Sequence, residues 1–91
     1  MSSGDFDVAW ASAARRSLNR LPEKVATAAV EFVYGSLAAN PPRVGKPLKV
    51  HLEGLHSARR GDYRVIYRID TDQRRVDVIA VEHRSDAYKP H

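Results

Sequence analysis

RRGDYRVIYRID, residues 59–70, decides how the chain folds. Over the extended segment Asp62 to Asp70 the side chains change sides at every step, so Tyr63, Val65, Tyr67 and Ile69 share one face of the strand while Arg64, Ile66 and Arg68 share the other. The first is a core face, which makes Tyr63 and Tyr67 packing residues. The second displays arginine. Extended segments lie on either side, at about Leu55–Arg60 and Arg75–His83, and Thr71-Asp72-Gln73-Arg74 forms a polar connection to the latter. Such short links predict hairpin-joined, antiparallel pairing. The run Val76 to Val81 is apolar on both faces, as a central or well-covered strand should be. The face taken by His83 is left open.

Further upstream, Phe6, Val8 and Trp10 alternate with Asp5, Asp7 and Ala9, the period of a short first strand, with Trp10 expected in the core. From Ser12 the spacing turns helical: Ala14, Leu18 and Leu21 recur on one side, with Arg15, Arg16, Asn19 and Arg20 on the other. That helix ends near Arg20. Pro22 and Glu23 suit the first turn of a second helix, where a missing N–H costs nothing and a carboxylate meets the positive end of the dipole. Its core stripe is Leu21, Val25, Ala29, Val33 and Leu37, supported by Ala28 and Phe32. Asn40-Pro41-Pro42 stops it, and a loop containing Gly45, Pro47 and Gly54 follows, carrying Arg43, Lys46 and Lys49. The expected order is β-α-α-β-β-β, an α+β fold in which a helical hairpin packs on one face of a twisted, mainly antiparallel sheet. Cations then line the exposed face.

The chain of 91 residues is expected to form one domain, residues 1–91, of modest stability. It has no cysteine, which argues against a secreted disulfide scaffold and for a reducing cytoplasm. Asp5 and Asp7 interrupt any secretory-type start, and Val25 to Ala39, the most apolar stretch, contains Glu31 and falls short of the roughly 18–20 residues of a membrane span. A soluble cytoplasmic protein is expected. Its net charge of +4 is unevenly placed: residues 1–42 carry four basic and four acidic side chains, residues 43–68 seven and two, residues 69–91 four and five. A basic surface of this kind attracts phosphate backbones or an acidic protein partner. The histidine spacings form no zinc motif and there is no glycine-rich phosphate loop, so no metal and no cofactor are expected.

Two segments carry a family resemblance. NPPRVGKPLKVHLEGLHSARRGDYRVIYRID, residues 40–70, resembles the loop and following two strands of the RelE/ParE superfamily of bacterial toxins, and HRSDAY, residues 83–88, resembles its C-terminal ending. Within that superfamily the chain looks like the RelE-type mRNA interferases, ribosome-dependent endoribonucleases that stop translation. The resemblance implies that Arg64 contacts the scissile phosphate, that Arg84 and Tyr88 stabilise the transition state and hold or deprotonate the RNA, and that Arg59 and His83 belong to the catalytic set. Lys46, Lys49, Arg60 and Arg68 are the expected RNA-binding cations, with Arg15, Arg16 and Arg20 facing ribosomal RNA. Where relatives commonly carry an aromatic and then a basic residue, this chain has His56 and Ser57.

RNA is cut without metal when its 2′-hydroxyl attacks the adjacent phosphorus, which requires a base, an acid for the departing 5′-oxygen, and positive charge on the phosphorane. Guanidinium suits the last task because it stays charged and offers forked donors to phosphate oxygens. Tyr88, with an ordinary pKa of about 10, needs neighbouring cations to serve as a base, or else stacks on a nucleobase. His83, His56 and Glu53 are further candidates for proton transfer. The implied partners are an acidic RelB-like antitoxin, messenger RNA and the A site of the 70S ribosome; the toxin–antitoxin complex would bind operator DNA through the antitoxin. Two other readings stay open: a ParE-like inhibitor of DNA gyrase, and a non-catalytic RNA-binding module.

Overall fold

A computed structural model describes residues 5–48 and 54–83. Its elements are β1 (Asp7–Trp10), α1 (Ser12–Arg20), α2 (Glu23–Phe32, prolonged by a π-helical turn over Val33–Leu37), α3 (Pro41–Val44), β2 (Lys46–Pro47), β3 (Leu55–Arg60), β4 (Tyr63–Asp70) and β5 (Arg75–His83). The strands form one five-stranded sheet in the order β1-β5-β4-β3-β2. The expected α+β fold is therefore present, with the sheet mixed: β1 runs parallel to β5 and every other pairing is antiparallel.

Gly61 has φ +59° at the first position of the two-residue turn between β3 and β4, a conformation glycine adopts without a Cβ clash. This tight link sets the β3–β4 register, which pairs Arg59 with Arg64 and Arg60 with Tyr63. Between β4 and β5 the register slips by one at Ile66/Tyr67, because Ile66 pairs with Ala80 while Tyr67 pairs with Val78. Ile79 is thus the extra residue of a bulge in β5. Beyond it, Val81 rather than Ala80 turns to the core, and Glu82 rather than Val81 stands opposite Arg64.

All helices described pack on one face of the sheet. Val65, Tyr67, Val76, Val78 and Val81 from the strands meet Ala14, Leu21, Ala29, Phe32, Val33 and Leu37 from the helical layer. Tyr63 and Tyr67 are buried as their strand period requires. A stripe repeated every four residues advances by roughly 40° per step on a helix of 3.6 residues per turn. The wider π turn over Val33–Leu37 offsets that drift, and both of its end residues are fully buried.

Four expectations need correction. The helix does stop at Asn40, but Pro41 and Pro42 open a new helical turn instead of a loop, since a missing N–H is tolerated at the first helical positions. Lys46-Pro47 is not loop either; it pairs with Ser57 and His56 as an edge strand. Ala28 is exposed, while Ser17 is buried on α1 with its hydroxyl donating to the Ala13 carbonyl at 2.9 Å. Trp10 is half-buried at the rim of the core, where its indole N–H donates to the hydroxyl of exposed Tyr34 at 2.9 Å. Among the described residues no helix is long and apolar enough to cross a membrane.

Candidate nucleic-acid interface

The face of the sheet away from the helices carries the side chains that pair across β3, β4 and β5 out of phase with the core. One row reads Arg59, Arg64, Glu82. Arg64 Nε donates to Glu82 Oε1 at 2.7 Å, and Arg64 Nη2 lies 2.7 Å from the same oxygen. Both side chains remain over two-fifths exposed, so water screens the pair, and an ion pair of this kind contributes about 0.2–1 kcal/mol. Arg59 is exposed directly across from Arg64. Like charges in opposed positions repel, and with Glu82 engaged by Arg64 the row keeps one unbalanced positive charge, at Arg59.

The next row is Lys46, Ser57, Ile66 and Ala80. A groove of about 470 Å³ runs here between the Gly45–Leu48 segment and the side chains of Ser57 and Arg59, with Lys46 on its wall. Leu55, Arg68 and Asp77 make the third row. Asp77 does not serve Arg68: it binds Arg75 through Oδ1 at 2.8 Å, and Asp70 approaches the same guanidinium at 3.4 Å. The hydrogen bond to Asp77 raises the Arg75 pKa further and keeps that residue charged. Lys46, Arg59 and Arg68 make no ion pair among the described residues, leaving three exposed cations beside Arg64 on one face.

Other expected site residues fall elsewhere. Arg60 pairs with Tyr63 on the helix-covered side, and its guanidinium lies 5.2 Å from the centre of the Phe32 ring, a cation–π contact. His83 also pairs with Tyr63, so the register puts it on that same side and answers the question its sequence left open. His56 pairs with Tyr67 and stacks on it, with ring centroids 5.5 Å apart and planes 28° from parallel. Its Nδ1 is buried without a hydrogen-bond partner. The open face therefore unites Arg59, Arg64, Arg68 and Lys46 and separates them from Arg60, His83 and His56. Arg84, Tyr88, Lys49 and Glu53 lie outside the described residues. Glu82 was not among the sequence candidates, because its place opposite Arg64 depends on the bulge at Ile79. No group of three or more His, Cys, Asp or Glu suited to a metal ion occurs among the described residues.

Residues 8–88 match a family model described as the ParE toxin of the type II toxin-antitoxin system parDE. The chain is 57% identical over 84 residues to Toxin RelE of Mycobacterium tuberculosis, covering 92% of this chain and 87% of that protein. It is 46% identical over 84 residues to Toxin RelG of the same organism, covering 92% and 97%. Among solved structures, the toxin-antitoxin complex RelBE2 of M. tuberculosis contains a chain similar at 45% identity with a TM-score of 0.88, covering 93% of this chain and 98% of that one. The intact E. coli RelBE complex shares the fold at 15% identity, with a TM-score of 0.73 over 86% of this chain and 95% of that chain. The chain belongs to the RelE/ParE family of toxins from type II toxin-antitoxin systems.

Proposed function

We propose that this toxin is an endoribonuclease that cleaves messenger RNA on the ribosome. The observation that carries the reading is the Arg59–Arg64 pair on the open face, flanked by Lys46 and Arg68. A phosphodiester placed across the two guanidiniums relieves their mutual repulsion and receives planar, forked donors. In the reaction the RNA 2′-hydroxyl attacks the neighbouring phosphorus and the 5′-oxygen leaves, giving a 2′,3′-cyclic phosphate. Arg64 and Arg59 act where negative charge builds on the phosphorane, a task usually worth about 10²–10³ in rate per donor. Arg84 and Tyr88 join them on the strength of the HRSDAY resemblance, with Tyr88 in the proton-transfer or base-stacking role. Lys46, Lys49 and Arg68 hold the flanking RNA chain. Arg60, engaged with Phe32 on the other side, is left out of that set.

The relatives' names, RelE and RelG, support the RNA-directed reading, and the RelBE2 complex supports an antitoxin partner for this chain. Complementarity with the cationic face favours an acidic antitoxin segment, captured quickly and with strong salt dependence. Translation of a defined message in a purified system, followed by mapping of new 5′ ends, tests the proposal: wild type should cut and Arg64→Ala should not. The description of the matching family model as ParE favours a second reading, inhibition of DNA gyrase. A supercoiling assay separates the two, since inhibited gyrase with intact message supports only the second.

A further inference from the structure

We infer that Glu82 is a positioning residue that occupies Arg64 in the free protein and sets its affinity for RNA by competing with the incoming phosphate. The inference rests on the reading of Arg64 as a phosphate ligand. Glu82 Oε1 receives both the Nε and the Nη2 contact of Arg64, and these are donors that a phosphate oxygen would take. Occupied this way, the guanidinium is directed across the sheet toward β5 while it stays partly exposed. The carboxylate also places a negative charge at the end of the Arg59–Arg64 row, where a phosphodiester must approach.

Three features favour exchange over a fixed structural bridge. The pair is half-exposed, so opening it leaves neither charge stranded in a dry interior. Arg75, three rows away on the same face, is by contrast gripped by both Asp70 and Asp77. And the backbone is shaped for the Arg64–Glu82 meeting: were Ile79 paired in unbroken register with Ile66 instead of bulged out, Val81 would stand opposite Arg64. Bulges commonly serve to re-aim a side chain in this way.

The test uses a short single-stranded oligonucleotide of 2′-deoxy nucleotides, which offers phosphates but no attacking hydroxyl, and measures its binding by fluorescence anisotropy over a range of salt concentrations. Glu82→Gln should bind about fivefold tighter, the factor matching an exposed ion pair near the top of its usual range. Its salt dependence should steepen by about 0.7 in log–log slope, one further phosphate contact on a single strand. Glu82→Asp, which keeps the charge, should stay close to wild type. In an Arg64→Ala background the gain should vanish. Equal or weaker binding by Glu82→Gln, no binding by any variant at low salt, or a gain that persists in full without Arg64 would each overturn the inference. Cleavage of message by the wild type is read separately in the translation assay, so the loss of one conclusion is distinguishable from the loss of the other.

Discussion

The hydroxyl of Tyr67 donates a 2.6 Å hydrogen bond to the carbonyl of Pro41, 26 residues away, and ties the short α3 turn to the central strand β4. The backbone N–H of Gly45 bonds the same phenolic oxygen. Both Tyr67 and Pro41 are fully buried, so the Pro41 carbonyl has little access to water. Tyr67→Phe keeps the ring and removes the oxygen, leaving a carbonyl and an N–H without that partner. We expect a loss of about 1–3 kcal/mol in urea unfolding, with an unchanged denaturant slope.

Stability should also fall on the alkaline side. Burial pushes the Tyr67 phenol up to about 12, above the 10.0 of an exposed phenol, and burial raises Tyr63 as well. The folded state therefore holds protons that the unfolded chain has released. The stability that the Tyr67 phenol contributes is fully present below pH 10 and is lost as pH rises toward 12. Thermal melts across that range, compared with those of Tyr67→Phe, should show a flatter decline in the variant; parallel curves would remove Tyr67 as the cause.

Gly45 lies where no side chain fits. A Cβ there would stand 2.8 Å from the Ser57 carbonyl oxygen and collide with the Tyr67 hydroxyl. Gly45→Ala should lower stability by about 1–3 kcal/mol as the edge of the sheet shifts to make room. Because Gly45 lines the groove beside Arg59, the same variant should weaken RNA binding more than its stability loss explains, as judged at a temperature where it remains folded.

The sequence spoke clearly wherever a single period governed. Alternation along β4 assigned Tyr63, Val65 and Tyr67 to the core and Arg64 and Arg68 to the other face. What escaped depended on departures from regularity. Asp77 and Glu82 are five residues apart, an odd spacing that strict alternation would send to opposite faces, yet both lie on the open one. That spacing is the only trace in the sequence of the Ile79 bulge, and with it of the Arg64–Glu82 contact. Edge strand β2 escaped for another reason: two residues, one of them proline, have no period, and they become a strand only through pairing with Ser57 and His56. The adjacent Arg59 and Arg60 had to face opposite ways, with Arg59 favoured for the groove, and the register set by the Gly61 turn puts Arg59 opposite Arg64 on the open face.

That division has a measurable consequence. Arg59→Ala should weaken oligonucleotide binding and lower its salt dependence by about one phosphate contact, with little effect on melting. Arg60→Ala should do the reverse, leaving binding within about twofold while losing the contact over Phe32, worth roughly 0.5–1 kcal/mol. Equal effects of the two on binding would mean that the sheet does not separate them functionally.

Single-turnover cutting of a ribosome-bound message asks whether Arg64 supports RNA cleavage. Wild type should produce discrete new 5′ ends within the translated region, and Arg64→Ala should slow their appearance by at least about 100-fold while melting within a few degrees of wild type. Intact message with the wild type, or cleavage by Arg64→Ala at the wild-type rate, would rule out RNA cleavage supported by Arg64.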